Sequence, residues 1–514
     1  MKRVLCVLVL VLLTAGVLFA GGQRGRAAVP DNQLILVQPM MPTHFDPGRA
    51  LEVPASRALA LIYNTLVYQD GEGNIIPGLA TSWEFLDAQT LLLNIRQGVR
   101  FHNGDILTAD DVAFSLNRAS ASPFTAAITD FIREAVAVGP HQVRVTTHAP
   151  FAPMLAHFTH TATSIVNRRV VEALGDAHAM APVGTGPFMF YNFVAGDRYE
   201  LKRFDGFNAV KPGLPPGRLP AIEHIIVRIV PEGGVRTIEL ETGAAHIFVD
   251  VPTAEVPRIR AHRDLVMYDI PNFSINTWFG FNTRRAPMND IRVRQAINYA
   301  IDIESIVNVA WGGMGSVARG PLPTTVGGAR VFPVHPQNIP RARELMAQAG
   351  FPNGFHMDIW TNAGNPMRAD AMTIIQAQLR AINIETTLRI YEWGVLLPGT
   401  GAGEHYSWLG GWVTSTGEAD YGLYPLFHSI NFGDMGNRFF YHNPRVDELL
   451  EFARSNTDWT VRERAYHEVQ ELIMRDMPLI PLWQASELHA TRSNVGGFHV
   501  TGAGHLHLWN VYFR

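Results

Sequence analysis

The sequence contains a single cysteine, Cys6, among 514 residues. One cysteine cannot form a disulfide within the chain, so the fold has to be stabilised by its hydrophobic core. Charge of either sign is also scarce, because charged residues make up 17% of the chain and the formal net charge is -4. No basic stripe is present, which argues against nucleic acid as a partner. The length and an apolar content of 47% indicate a globular protein with two or three cores.

Signatures of catalysis are lacking as well. No G-x-S-x-G occurs, and the segment His467–Glu471 departs from the zinc-protease pattern because its fifth position is glutamate. The closest histidine pairs are at 157 and 160 and at 505 and 507, and neither has a third metal ligand nearby in sequence. Hydrogen-bonded or solvated histidine is therefore favoured over a metal site. We predict no catalytic residue, no metal site and no cofactor.

Only one apolar run has membrane length, and it lies at the N-terminus. Lys2 and Arg3 precede the run Val4–Ala20, which ends in small residues. This pattern predicts a secretory signal peptide over residues 1–20, with an uncleaved membrane anchor as the alternative. We therefore expect an exported protein. Cys6 would be removed with the signal, so the mature chain would contain no cysteine.

The most informative stretch is Pro77–Arg118. Leu91, Leu93 and Ile95 alternate with polar residues, which is typical of a strand with one buried face. Thr108 precedes two aspartates and an apolar helical pattern, so it is predicted to be the N-cap of a helix. From these residues alone the stretch is a structural α+β element, with no nucleophile, metal-ligand cluster or phosphate-binding loop.

Periodicity elsewhere predicts a mixture of helices and strands. Residues 58–67 have helical spacing, and residues 355–360, 369–381 and 384–390 read as strand, helix and strand. That order indicates an α/β arrangement in the second half of the chain. The triplet 184–186, Gly-Thr-Gly, is followed by proline rather than a helix, so we expect a turn and not a phosphate loop.

The text SWEFLDAQTLLLNIRQGVRFHNGDILTADDVAFSL resembles the signature of family 5 extracellular solute-binding proteins, the peptide-, nickel- and glutathione-binding receptors of bacterial ABC importers. Segments 182–192 and 275–307 resemble later blocks of that family in the same order, and the turn at 184–186 is expected to let the backbone approach the ligand cleft between the lobes. The resemblance implies a mixed α/β, two-lobed periplasmic-binding-protein-like fold with an extra subdomain in the first lobe and a two-strand hinge. The implied division is lobe I at 31–50, 185–272 and 486–514, the extra subdomain at 51–184, and lobe II at 273–485.

The resemblance also implies where the ligand binds. Trp393 and Trp412 stand where relatives line the ligand cavity, and indole rings provide rigid apolar walls. Ser415 and Asn362 occupy positions where dipeptide receptors carry an aspartate and an arginine, so a simple dipeptide ligand is disfavoured. The segment from Ser415 to Asp420 instead looks like the glutathione-binding branch.

Other residues complete the predicted site. Hydroxyls at 414–416 would bind ligand carboxylates and amides, acidic groups would hold an ammonium, and Arg368 would supply a cation. For Asp420 the alternative is capping of a turn or helix. The predicted ligand-binding residues are Glu52, Val53, Trp278, Asn362, Arg368, Trp393, Trp412, Thr414, Ser415, Thr416, Glu418 and Asp420.

The resemblance implies a monomeric periplasmic receptor that captures a short peptide or glutathione between two lobes and delivers it to ABC permease subunits in the inner membrane. Nickel or an oligosaccharide remains an alternative ligand. A secreted hydrolase and a sensory receptor remain alternatives of a different class.

Overall fold

The computed structural model describes residues 32–49, 52–70, 74–270, 275–363, 365–501 and 504–514. The predicted signal peptide, residues 1–20, lies outside the described residues. In the part of the chain that is described, the helices are too short or too polar to cross a bilayer.

Strands and helices are both distributed along the whole of the described chain. The described strands are β1 (Gln33–Gln38), β2 (Val67–Gln69), β3 (Ile75–Pro77), β4 (Ala80–Asp87), β5 (Thr90–Ile95), β6 (Ile132–Gly139), β7 (Gln142–Thr147), β8 (Phe188–Val194), β9 (Arg198–Arg203), β10 (His224–Ile229), β11 (Ile247–Phe248), β12 (Leu265–Ile270), β13 (Ile275–Phe281), β14 (Ser316–Val317), β15 (Phe355–Asn362), β16 (Ile384–Tyr391), β17 (Ser407–Val413), β18 (Leu479–Gln484), β19 (Glu487–Arg492), β20 (Val495–Gly496) and β21 (Tyr512–Phe513). The described α-helices are α1 (Val53–Ile62), α2 (Ala109–Ser120), α3 (Ala126–Thr129), α4 (Met154–His157), α5 (Arg168–Leu174), α6 (Gly233–Glu241), α7 (Val256–Ala261), α8 (Ile291–Ala300), α9 (Ile303–Trp311), α10 (Ile339–Gln348), α11 (Pro366–Leu379), α12 (Trp393–Gly401), α13 (Ala419–Phe427), α14 (Pro444–Ser455) and α15 (Trp459–Asp476).

Two mixed sheets organise the molecule. The first has the order β12-β19-β11-β1-β10-β9-β8, and the second has the order β14-β18-β13-β17-β15-β16. An antiparallel sheet, β4-β5-β7-β6, shares a hydrophobic core with the first of these sheets. We call the first mixed sheet with the antiparallel sheet the first lobe, and the second mixed sheet with its helices the second lobe. The fold is therefore mixed α/β and two-lobed, as expected.

The order of the described strands shows that the chain passes from one lobe to the other twice. β12 pairs with β19 in the first lobe, and β13 pairs with β18 in the second. One passage therefore falls between β12 and β13, and the return falls between β18 and β19. The residue limits given above for the two lobes and the extra subdomain stay a prediction.

Several local patterns form the elements that they predict. In β5 the residues Leu91, Leu93 and Ile95 are buried, and the strand pairs with β4. Thr108 is the N-cap of α2 and forms a capping box with Asp111, in which each side chain bonds the backbone N–H of the other residue. β15 and β16 are parallel neighbours connected by α11, as the strand-helix-strand pattern predicts.

Two local predictions differ from the structure. The first helix spans Val53–Ile62 instead of residues 58–67, because Pro54 fits the first turn of a helix and Val67 begins a strand. The Gly-Thr-Gly turn approaches the end of α1 instead of opening directly on the cleft. There, Gly186 N–H donates to the Ile62 carbonyl at 2.8 Å.

Candidate functional site

A cavity of about 1150 Å³ lies between the lobes. Its first-lobe wall comes from the segment after α1, the segment after α4, the loop at 211–213 and the C-terminal residues 499–501 and 505–510. Its second-lobe wall comes from the loop at 325–328, the loop before α13 and the start of α15. A molecule in this space would contact both lobes, so it is the candidate ligand site.

Of the predicted residues, Ser415 and Glu418 line this cavity. Glu418 is the N-cap residue of α13, and its carboxylate pairs with Arg462 and accepts from the Tyr466 hydroxyl at 3.3 Å. Burial raises the pKa of the Glu418 carboxyl even though Arg462 opposes the shift. Glu418 therefore presents a carboxylate that is partly satisfied inside the second lobe.

The neighbouring threonines lie deeper. Thr414 and Thr416 are buried and do not line the cavity. Thr416 Oγ1 has no hydrogen-bond partner among the described residues. The hydroxyl cluster predicted at 414–416 therefore contributes Ser415 alone to the wall.

Asp420 is fully buried and already paired. Arg454 donates to it through Nε at 2.9 Å and through Nη2 at 3.0 Å, and His157 Nε2 lies 3.7 Å from its second oxygen. Burial alone would raise the pKa of the Asp420 carboxyl, but Arg454 and His157 hold it well below its usual range. Because His157 belongs to the first lobe, Asp420 takes part in a contact between lobes and does not face the cavity.

The predicted tryptophans lie elsewhere in the second lobe. Trp278 is 2% exposed and packs against Trp408 in the core. Trp393 is 53% exposed at the first residue of α12. Trp412 donates from Nε1 to the Tyr421 carbonyl at 2.9 Å and packs against a contact between lobes formed by Ile128, Ala162 and Tyr421. None of these three indoles lines the cavity, whereas Trp459 and Trp509 do.

Arg368 contacts Asn362, the last residue of β15. Arg368 Nη1 donates to Asn362 Oδ1 at 2.7 Å, and burial lowers the pKa of the guanidinium to about 10. At the first-lobe entrance to α1, Glu52 accepts from Thr43 N–H at 2.9 Å, and Val53 is the first residue of the helix. Like the threonines, these four predicted residues are outside the cavity wall.

The first-lobe wall contains residues that the sequence did not single out for ligand binding. Lys211 donates from Nζ to the Tyr63 carbonyl at 2.7 Å, and its Nζ lies 5.1 Å from the ring centres of Tyr68 and Trp509. His505 and His507 line the same wall. From the sequence, this histidine pair was considered only as a possible metal site. Among the described residues, no group of three or more His, Cys, Asp or Glu side chains has metal-site geometry.

Known proteins are similar to this chain in sequence and in fold. A family model described as bacterial extracellular solute-binding proteins, family 5 middle region, matches residues 74–434. Glutathione-binding protein GsiB of Escherichia coli K12 is 28% identical over 468 residues, which cover 89% of this chain and 90% of that protein.

Solved structures are also similar. DppA from Helicobacter pylori, solved with the peptide STSA, is 27% identical with a TM-score of 0.81, covering 94% of this chain and 98% of that one. A dipeptide-binding protein from Pseudoalteromonas sp. SM9913, solved with Met-Leu, is 25% identical with a TM-score of 0.82, covering 94% and 100%.

Proposed function

The chain belongs to the family 5 bacterial extracellular solute-binding proteins, and from this premise we propose that it captures a short peptide or glutathione between its lobes for an ABC importer. The main support for this class of ligand is the cavity of about 1150 Å³, whose walls come from both lobes. Ligand sites commonly measure about 300–1000 Å³, so this space suits a small peptide with some water. A lone metal ion would leave most of it filled by solvent.

The chemistry of the walls supports a peptide. The second-lobe wall carries Glu418 and Glu463, and the first-lobe wall carries Lys211. A peptide presents an ammonium at one end and a carboxylate at the other, so both signs of charge can be matched. Trp459 and Trp509 add flat apolar surface for side chains.

On binding, the lobes would close around the ligand by bending at the two segments that connect them. Hinge closure of this kind is known for two-domain binding proteins. A ligand favours the closed arrangement only through contacts that it makes better there, and a cavity lined by both lobes provides them. No covalent step is needed, so we propose that the ligand is released unchanged to permease subunits.

Further parts of the proposal concern the protein as a whole. We propose that it is a monomer, that residues 1–20 direct its export, and that it works outside the cytoplasm. The relatives reported above are binding proteins, which supports a receptor and argues against a secreted hydrolase.

A thermal-shift screen of the purified chain tests the ligand class. The probes are glutathione, tri-alanine, maltotriose and nickel chloride. A ligand at a hundredfold excess over its Kd stabilises the folded state by about 2.7 kcal/mol, so a true ligand shifts the unfolding temperature measurably. We expect a shift with glutathione or tri-alanine. A shift with maltotriose or nickel alone would contradict the peptide assignment and favour the corresponding alternative.

A further inference from the structure

Lysine is rare in this chain, and its placement is unusual. The sequence contains three lysines, Lys2, Lys202 and Lys211. Lys202 is half-buried on β9, where its ammonium lies over the Tyr191 ring. Lys211 is 3% exposed and borders the cavity. Nearly every other lysine or arginine position is arginine, so a primary amine at 211 is uncommon for this chain.

Other buried cations near the cavity have carboxylate partners. Arg57, for example, pairs with Asp250 at 2.9 Å and with Glu487 at 3.2 Å. For Lys211 no carboxylate within the described ranges lies at ion-pair distance, and the one hydrogen bond from Nζ goes to the Tyr63 carbonyl. An ammonium has three N–H donors, so two remain for a molecule in the cavity.

Lys211 is also the main source of positive charge on its wall. Burial lowers the pKa of His505 to about 4 and of His507 to about 3, so both imidazoles are neutral at pH 7. Tyr63 and Tyr68 face the amine from the segment after α1, and burial raises both phenol pKa values, so neither supplies a negative charge. The charges of Arg57 and Glu487 shift the pKa of His505 in opposite directions, and the two side chains form an ion pair with each other, so they add little net charge to this wall.

An unpaired ammonium is costly to bury, and a lysine can avoid this cost by losing its proton whereas an arginine cannot. Consistently, burial lowers the pKa of Lys211 to about 7. A carboxylate arriving beside Nζ would restore the charged form and use the free N–H donors.

We propose that Lys211, flanked by His505 and His507, forms an anion subsite on the first-lobe wall that takes a carboxylate of the ligand. This subsite rests on the proposed peptide or glutathione function and adds an orientation to it. The carboxylate end faces the first lobe, and the ammonium end faces Glu463 of the second lobe, beside the paired Glu418 and Arg462.

Isothermal titration at pH 7 tests the subsite with three probes: glutathione, tri-alanine and tri-alanine with a C-terminal amide. The full chain is compared with Lys211→Met, which keeps the length of the side chain but not its charge, and with Lys202→Met as the matched control. A charge-assisted bond to a buried group corresponds to about 10- to 100-fold in affinity. We expect that loss for glutathione and tri-alanine in Lys211→Met only, with little change for the amide. Equal affinities in the Lys211→Met and unsubstituted chains would overturn the subsite and leave the receptor function standing.

Labelling of the unsubstituted chain provides a test that needs no variant. Limited acetylation with acetic anhydride, read by mass spectrometry, reports the reactivity of Lys202 and Lys211 in the same sample. Glutathione or tri-alanine should protect Lys211 and not Lys202. If no peptide binds but 50 mM acetate still protects Lys211, the anion subsite is supported and the peptide function fails. If neither peptide nor acetate protects Lys211, the subsite is overturned.

Discussion

The Asp420 carboxylate stabilises the fold through Arg454 and is not free to hold a ligand ammonium. We predict that Asp420→Asn lowers the free energy of unfolding by roughly 3 kcal/mol, because it leaves the Arg454 guanidinium buried without its charged partner. Urea denaturation of the unliganded chain measures the change.

The matched control is Glu468→Gln, which removes one carboxylate of an exposed pair with Arg445. Exposed pairs contribute less than about 1 kcal/mol, so this variant should stay close to the unsubstituted chain. Equal losses in the two variants would show that the buried ion pair contributes no more to the free energy of unfolding than the exposed one.

Asp420 and Asp46 should also make the protein sensitive to acid. Burial would raise the pKa of Asp46, but His178 and Arg118 hold it well below its ordinary value of 3.8, as Arg454 does for Asp420. A carboxyl with a lowered folded-state pKa stabilises the fold above its unfolded value, and this contribution is lost as pH falls through the folded value. Stability should therefore drop below about pH 4.

Urea denaturation at several pH values between 6 and 3 measures this drop. Asp420→Asn removes one of the two groups, so the stability of the variant should decline less steeply with acid than that of the unsubstituted chain. Parallel curves for the two proteins would contradict the assignment of acid sensitivity to Asp420.

At the residue scale, part of the candidate site could be predicted from the sequence. Ser415 and Glu418 follow β17 closely in sequence and line the cavity, and their binding of a ligand stays a prediction. Trp393 and Trp412 were expected there too, but the ring orientation of Trp412 is set by packing against Tyr421 and the first lobe. Lys211 reaches the wall only because distant segments meet, and no local pattern signals such a meeting.

At the element scale, the turn at 184–186 depends on its glycines. A Cβ atom on Gly186 would lie 2.4 Å from the Leu61 carbonyl oxygen, at the end of α1. We predict that Gly186→Ala lowers the free energy of unfolding by about 1–3 kcal/mol, since backbone would have to move to relieve the contact. Urea denaturation measures the loss.

Gly394→Ala serves as the control, because a Cβ atom at this position in α12 meets nothing within 4 Å. Alanine is the better helix former by up to about 1 kcal/mol, so stability should be unchanged or slightly higher. A Gly186→Ala variant as stable as Gly394→Ala would show that the turn tolerates a side chain.

Elements were predictable where local signals agree. The capping box of α2 and the alternation in β5 are complete within a few residues, so both elements form as expected. Helix α1 was placed too late at both ends: the apolar spacing of residues 58–67 continues past its last residue, Ile62, and the proline near its start was not taken into account. Pro54 is the stronger signal, since its fixed φ suits the first helical turn.

At the scale of the whole molecule, the lobes touch beside the cavity. Ala152 N–H of the first lobe donates to the Arg454 carbonyl of the second at 2.6 Å, close to the contact between His157 and Asp420. The cavity is thus bordered by a direct contact between lobes. The two-lobed architecture was predictable from the family resemblance and not from periodicity, because strand patterns do not say which sheet a strand joins.

A small peptide is proposed to bind in the cavity between the lobes. Isothermal titration of glutathione and tri-alanine into Ser415→Trp and Trp393→Ala measures this, since Ser415 lines the cavity and Trp393 is exposed outside it. We expect the indole at 415 to fill the space and weaken binding on the order of 100-fold, while Trp393→Ala binds like the unsubstituted chain. Full affinity in a folded Ser415→Trp variant would show that the peptide binds elsewhere.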